Sequence, residues 1–328
     1  MCRVISICNQ KGGCSKSTVA ENLGIGMARL GKKVLLMDVD PQGSLTASLG
    51  FQEPDEIPVT LATIMTNIIN EEDFPADEGI LHHEEGVDLL PANIELSGLE
   101  VSLANTMSRE MVLREYVELV RDRYDYIILD CMPSLGVMTI NALVAADSVL
   151  IPGQAAYLPV KGLQQLIKTI TVVKKRLNKG LSIEGILITM MDYRTNYGKD
   201  ITEMLRQSYG NTIGVMESYI PYSVRVAEAS AEGASIYRYA PNCRAAKSFQ
   251  QLTEEILAEE SEAEKTEAGK TEAGKTGADK TKSAETQSAG TEPTGTGSVE
   301  TESAGAEPEG TFVERTDFAE MAGEGETA

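Results

Sequence analysis

The chain lacks any CxxC pair and any zinc-ligand spacing; its five cysteines, Cys2, Cys8, Cys14, Cys131 and Cys243, are scattered over 328 residues. An odd, dispersed set suits reduced thiols in a cytosol better than a disulfide framework. Also missing is an apolar run approaching the roughly 18 residues of a membrane span. A strand pattern begins within a few residues of Met1 and leaves no room for a signal peptide, so a soluble cytoplasmic protein is expected. Basic charge is scarce: 29 Lys and Arg stand against 50 Asp and Glu, a net charge of −21. The deficit is uneven. From Ala258 onward 18 acidic residues face 6 basic ones, a net −12, which leaves −9 for residues 1–257. An acidic total excludes a wholesale nucleic-acid coat but allows one local basic patch.

Residues 260–328 have almost no large apolar side chains. They contain the repeat TEAGKTEAGKTGADKTK and are otherwise mostly Glu, Thr, Gly, Ser and Ala. Such a segment cannot bury enough surface to offset ordering costs of about 1–2 kcal/mol per residue. A disordered acidic tail over 258–328 is therefore expected, with FVERTDFAEM as a solvated end. Its charge is expected to repel DNA within a Debye length of about 8–10 Å.

In residues 1–257 short apolar runs alternate with longer amphipathic ones, the pattern of an α/β fold with a mostly parallel twisted sheet and helices on both faces. RVISIC, KVLLMDVD, YDYIILD, SVLIPG, IEGILITMMD and GVMESYIP read as strands. Helices are predicted after the first strand (Val19, Leu23, Met27 and Leu30 on one face, Gly31 as the stop), over 161–178 (Leu163, Leu166, Ile170, Val173 and Leu177) and over 245–257 (Phe249, Leu252 and Ile256). Residues 51–115 give a strand at VDLLPA and otherwise no clear pattern.

The chemistry concentrates in NQKGGCSKST, residues 9–18. A glycine-rich turn between a strand and a helix aims backbone N–H groups at an anion, and the helix dipole adds attraction. Gly12 and Gly13 leave room for phosphate oxygens. Lys16 would reach the β- and γ-phosphates of a nucleotide, and the Ser17 hydroxyl would sit on Mg²⁺. Cys14, near Lys16 and a helix N-terminus, is expected to favour its thiolate. Two further strands end in carboxylates, Asp38 and Asp40 after LLM and Asp130 after YIIL; in an open α/β sheet such ends face the ligand crevice.

KGGCSKST, DVDPQG, YDYIILDCMPSLG, ILITMMDYRTN and IPYSVRVAEASAEGASIYRY, in that order, resemble the ParA/Soj family of DNA-partitioning ATPases, which carry a deviant Walker A P-loop. The likeness runs from about residue 3 to 257. It implies a P-loop ATPase that uses ATP and Mg²⁺ and forms an ATP-sandwich homodimer. Lys11 then corresponds to the signature lysine that reaches the partner's nucleotide, as an arginine finger does elsewhere. By the same resemblance Lys11, Gly12, Gly13, Cys14, Ser15, Lys16, Ser17, Thr18 and Pro221 contact nucleotide, Asp40 positions the attacking water, and Ser17 and Asp130 hold the metal. The chain departs from the family at Ser15, where glycine is usual, at Met132, usually proline, and at Tyr222, often basic.

The resemblance further implies non-specific DNA binding by the ATP-bound dimer, association with the nucleoid, and hydrolysis stimulated by a ParB-type DNA-binding protein. Phosphate contacts are predicted at Arg206, Arg225, Arg238, Arg244 and Lys247, because acidic residues are sparse between Ser235 and Gln251. No N-terminal helix-turn-helix extension is present, so operator binding is not expected. A MinD-like positioning ATPase would need a basic amphipathic C-terminal helix, where this chain has an acidic tail, and stable membrane association is not expected. An iron–sulfur reductase would need paired cysteines at the dimer interface, and the sequence offers Cys131 no second ligand at convincing spacing. A nucleotide-switched regulator with little hydrolysis stays open because of Ser15.

Overall fold

Buried apolar runs become strands wherever both faces can be covered, and they supply most of the eight strands in the computed structural model, which describes residues 2–154, 160–192, 196–210 and 212–258. The strands are β1 (Arg3–Ile7), β2 (Val34–Val39), β3 (Leu81–His82), β4 (Val87–Leu90), β5 (Tyr126–Cys131), β6 (Ser148–Gln154), β7 (Ser182–Met191) and β8 (Val215–Pro221). They form one sheet in the order β3-β4-β2-β5-β1-β6-β7-β8. Every pairing is parallel except that of the two-residue β3 with β4.

Period-2 alternation sends successive side chains to opposite faces. From β5, Ile127, Leu129 and Cys131 enter one core with residues of α3 (Leu61–Ile69), α4 (Glu95–Leu103), α5 (Val112–Val120), α6 (Val137–Ala145), α7 (Val160–Arg176) and α8 (Asn196–Tyr209). Tyr126 and Ile128 enter the other, with α1 (Lys16–Arg29), α2 (Ser44–Ser48), α9 (Val224–Ala231), α10 (Ile236–Tyr239) and a last helix α11 over residues 244–258. Asp130 and, on β2, Asp38 fall on the α1 face by the same alternation. Among the described residues no helix is long and apolar enough to cross a membrane.

The predicted strands and helices form, and residues 51–115 resolve into α3, β3, β4, α4 and the start of α5. Two side chains depart from their predicted faces because each lies beyond the last regular turn of its helix. Leu30 is the C-cap of α1 and Leu177 follows the end of α7, and both are exposed. The tail from residue 259 lies outside the described residues; Ala258 still belongs to α11.

Glu21 is a cost in this otherwise apolar packing. It sits on the inner face of α1, fully buried, and neither carboxylate oxygen has a hydrogen-bond partner. The nearby hydroxyls of Ser48 and Ser230 donate instead to the carbonyls of Leu45 (2.9 Å) and Val226 (3.3 Å). Burial pushes the carboxyl from 4.5 up to about 8, with Glu85 adding to the rise and the two hydroxyls opposing it. The native state therefore keeps a proton that the unfolded chain has lost. The associated stability is fully present below about pH 4.5 and is lost as the pH rises through about 8. At about 1.4 kcal/mol per pH unit the penalty reaches several kcal/mol at the alkaline end. Glu21→Gln is expected to raise stability at pH 8 and to flatten its fall between pH 5 and 8 in urea titrations. Parallel pH curves for the two proteins would contradict this.

Candidate active site

The loop between β1 and α1 is tied to the sheet at three points. Asn9 donates Nδ2–H to the Pro152 carbonyl on β6 (2.6 Å), while its Oδ1 accepts the Lys11 backbone N–H (3.0 Å) in an Asx turn. The Cys8 N–H donates to the Leu150 carbonyl (3.2 Å). On the far side, the hydroxyl of buried Thr189 on β7 donates to the Cys14 carbonyl (3.1 Å). Sequence reasoning alone misses Asn9 and Thr189. An Asn two residues before a backbone turn signals the first, but nothing local signals the second.

The loop leaves a cradle. A Cβ placed on Gly12 or Gly13 meets no protein atom within 4 Å, and Gly13 has φ +70°. No side chain caps the N-terminus of α1, so its first N–H groups stay available to an anion. Lys16 is buried in its first turn, Ser17 and Thr18 are half-buried beside it, and Lys11 is half-buried at the front of the loop. Ser15 takes the left-handed conformation, φ 69° and ψ 29°, with a side chain that bonds nothing at the cap. For a residue with a Cβ that conformation costs roughly 1–2 kcal/mol. Ser15→Gly is accordingly expected to stabilise the protein by about 1 kcal/mol, or about 2–4 °C in melting temperature. An unchanged or lower melting temperature would show that the loop is not strained at this residue.

The expectation for Cys14 is overturned. Its thiol is buried, donates to the Lys11 carbonyl (3.2 Å), and is pushed up by burial despite the opposing pull of Lys16. Desolvation outweighs the nearby ammonium, so Cys14 is a packing residue with a protonated thiol. Cys131 has a thiol neighbour in space, since Cys8, just past the end of β1, places its Sγ 2.8 Å away, but within the core. Both thiols are buried in the sheet's interior, on the face opposite α1, and burial holds Cys131 well above the ordinary thiol range.

Asp38 and Asp130 are direct neighbours across β2 and β5 but differ in what satisfies them. Asp38 accepts from Thr46 N (2.9 Å), Thr46 Oγ1 (2.8 Å) and Asp40 N (3.1 Å), fastening the segment 40–46 to the sheet. Burial nevertheless pushes its carboxyl up to about 7. Gly43, in that segment, has φ +58°, and a Cβ there would lie 2.9 Å from the Ala92 carbonyl. Asp40 lies just past the end of β2, nearly buried, and its Oδ1 accepts the Gln42 N–H (3.0 Å).

Asp130 is fully buried and neither oxygen has a hydrogen-bond partner. Burial first, then the neighbouring Asp38, raises its carboxyl well above the ordinary range; Ser17 and Lys16 pull the other way. An orphaned carboxylate beside Ser17 and the phosphate cradle fits a divalent cation. No group of three or more His, Cys, Asp or Glu able to hold a metal occurs among the described residues. That donor set suits Mg²⁺, which is held by few protein groups and completed by phosphate oxygens and water.

Pro221 closes β8, buried, three strands or about 14 Å along the sheet from β1, the strand that leads into the loop. The five basic residues predicted to meet DNA do not act alike. Arg206 pairs with Glu217 (2.9 Å), Arg238 pairs with Glu84, and Arg244 donates to the Tyr219 hydroxyl (2.6 Å). Arg225 and Lys247 are exposed. Arg206 belongs to α8, on the opposite face of the sheet from α9, α10 and α11, which carry the other four.

Residues 2–183 match a family described as an AAA domain. The sporulation initiation inhibitor protein Soj of Bacillus subtilis is 42% identical over 258 residues, covering 79% of this chain and 99% of that protein. The chromosome partitioning protein ParA of Myxococcus xanthus is 40% identical over 257 residues, covering 78% of this chain and 88% of that protein. Among solved structures, cobyrinic acid a,c-diamide synthase from Mycobacterium smegmatis with bound ATP analog and magnesium superposes with a TM-score of 0.70. It is 32% identical and covers 78% of this chain and 94% of that one.

Proposed function

The chain belongs to the ParA/Soj family of partitioning ATPases, and from that premise we propose that it is an ATP-switched DNA-binding protein reset by hydrolysis. The observation that carries this reading is the open cradle over Gly12, Gly13 and the uncapped start of α1, with the orphaned Asp130 carboxylate beside it. The loop N–H groups and Lys16 hold the triphosphate of ATP; Ser17 and Asp130 hold Mg²⁺. The ion's chemistry is to neutralise charge on the phosphate oxygens as it builds. Asp40 sits at the end of the segment that Asp38 and Thr46 fasten, where it orients a water for attack on the γ-phosphorus. Lys11, held at its backbone by Asn9, stands at the open front of the loop and reaches the nucleotide of a second subunit. Two nucleotides sandwiched between two chains make dimerisation depend on ATP, and hydrolysis then returns the monomer. A ParB-type protein stimulates that step, and the ATP-bound dimer associates with the nucleoid.

The test compares binding to plasmid DNA and to anionic liposomes, each with ATP and with ADP. DNA binding with ATP alone is expected. Liposome binding with ATP in place of DNA would point to a membrane-positioning ATPase instead. The left-handed Ser15 favours a second reading, a nucleotide switch with little turnover. ATP-dependent dimerisation with no hydrolysis, even with the stimulating partner, would favour it.

A further inference from the structure

The end of α7 carries a strip of exposed cations: Lys168, Lys174, Lys175, Arg176 and, just past the helix, Lys179. Between Asp147 and Glu184 the sequence has no acidic residue. Both bounding acids are engaged elsewhere. Asp147 accepts the Val4 N–H (2.8 Å) and faces Arg121 (3.4 Å), and Glu184 pairs with Arg3. The α6 helix, against which α7 packs, has no charged residue. None of the five cations has an ion-pair partner among the described residues, in a chain whose first 257 residues carry a net −9.

The strip is also held rigidly. Leu163, Leu166, Ile170 and Val173 bury the inner face of α7. Asn178, at its end, donates to the carbonyls of Leu143 (3.1 Å), Val144 (3.1 Å) and Ala146 (2.6 Å) that finish α6. The helix dipole favours cations at this end, which accounts for one or two of them but not for five. From Lys168 to Lys175 the strip runs about 10 Å, the length of about three base-pair rises along the DNA axis.

We propose that the C-terminal end of α7 is a phosphate-backbone contact of this protein for double-stranded DNA. The inference rests on the DNA-binding reading above and adds a contact to the predicted ones, of which Arg206 and Arg238 carry paired charges. Four of the five cations are lysines, point charges that suit contact with phosphate without reading bases. A bilayer is the poorer fit, because the apolar face of α7 is already buried in the core and cannot insert. Each subunit of a dimer carries one strip, so dimerisation doubles the number of phosphates engaged.

The experiment measures full-length protein with Mg²⁺ and ATP on a random-sequence duplex between about 50 and 200 mM salt. One variant combines Lys174→Ala, Lys175→Ala and Arg176→Ala; a second combines Arg225→Ala, Arg244→Ala and Lys247→Ala. The α7 variant is expected to bind roughly a hundredfold more weakly at the low-salt end, with the log–log salt slope reduced by about 2–3 per subunit. Its ATP binding and ATP-dependent dimerisation stay as in the parent, and a Lys174→Arg, Lys175→Arg variant keeps DNA binding. The second variant is expected to lose affinity as well, because Arg225 and Lys247 are exposed cations. Unchanged affinity and slope in the α7 variant would overturn the strip alone, as would loss of binding to phosphatidylglycerol vesicles with DNA binding retained. A parent protein that binds no DNA in either nucleotide state would overturn the DNA-binding reading together with the strip.

Discussion

Lys11→Ala is expected to leave ATP binding by the monomer nearly intact while removing ATP-dependent dimerisation, hydrolysis and DNA binding together. Lys16→Ala is expected to fail earlier, losing ATP binding itself. The difference follows from where the two lysines stand. Lys16 is buried in the first turn of α1, beside the cradle, where it would reach its own subunit's phosphates. Lys11 stands half-buried at the loop's front, where a second subunit would meet it. A cation supplied across an interface to a transferring phosphoryl group is worth about 10³–10⁵ in rate. DNA binding falls with it, because a monomer neutralises half as many phosphates as a dimer and affinity depends steeply on that number. Fluorescent-nucleotide titration and analytical ultracentrifugation of the two variants separate these outcomes. Equal loss of nucleotide affinity in both would contradict the division of roles.

Asp130→Asn is expected to move stability and function in opposite directions. In the free protein the Asp130 carboxyl is fully buried, without a hydrogen-bond partner and next to Asp38, so charge there is costly to hold. A neutral amide of the same size relieves the repulsion, and the melting temperature without nucleotide is expected to rise. The same change removes the anionic group that would hold Mg²⁺, so the added thermal protection from Mg²⁺ with ATP should disappear along with hydrolysis. A bound ligand at a hundred times its Kd stabilises by about 2.7 kcal/mol, which a melting curve resolves easily. A variant that is less stable without nucleotide would mean that Asp130 has a structural partner. One that keeps Mg²⁺-dependent protection would remove Asp130 from the metal site.

Much of this site is legible in the sequence because its parts are local. The strands are continuous apolar runs, the loop is one ten-residue stretch, and Asp38, Asp40 and Asp130 each follow an apolar run at a strand's end. What the sequence hides depends on partners distant in the chain. Thr189 meets Cys14 across 175 residues, and Cys8 meets Cys131 across 123. The charge on Arg206 and Arg238 is plain in the sequence, but their ion pairs with Glu217 and Glu84 are not. The cations of α7 are not among the residues predicted to meet DNA, although their acid-free stretch is plain in the sequence. Cys14 shows the same limit: a neighbouring lysine suggests a thiolate, and only burial shows that the thiol keeps its proton. Ser15 stands between these cases, since its place in the loop is clear but the strain depends on a φ of 69° that no sequence reports.

The action of Lys11 across the dimer is tested most directly by mixing two inactive proteins, Lys11→Ala and Asp40→Ala. In their heterodimer the Asp40→Ala subunit supplies an intact Lys11 to the active site that keeps its own Asp40, while the other site lacks both. Partial recovery of ATPase activity on mixing, rising with the heterodimer fraction, is the expected result. No activity at any ratio, with heterodimers present by native mass spectrometry, would contradict the account.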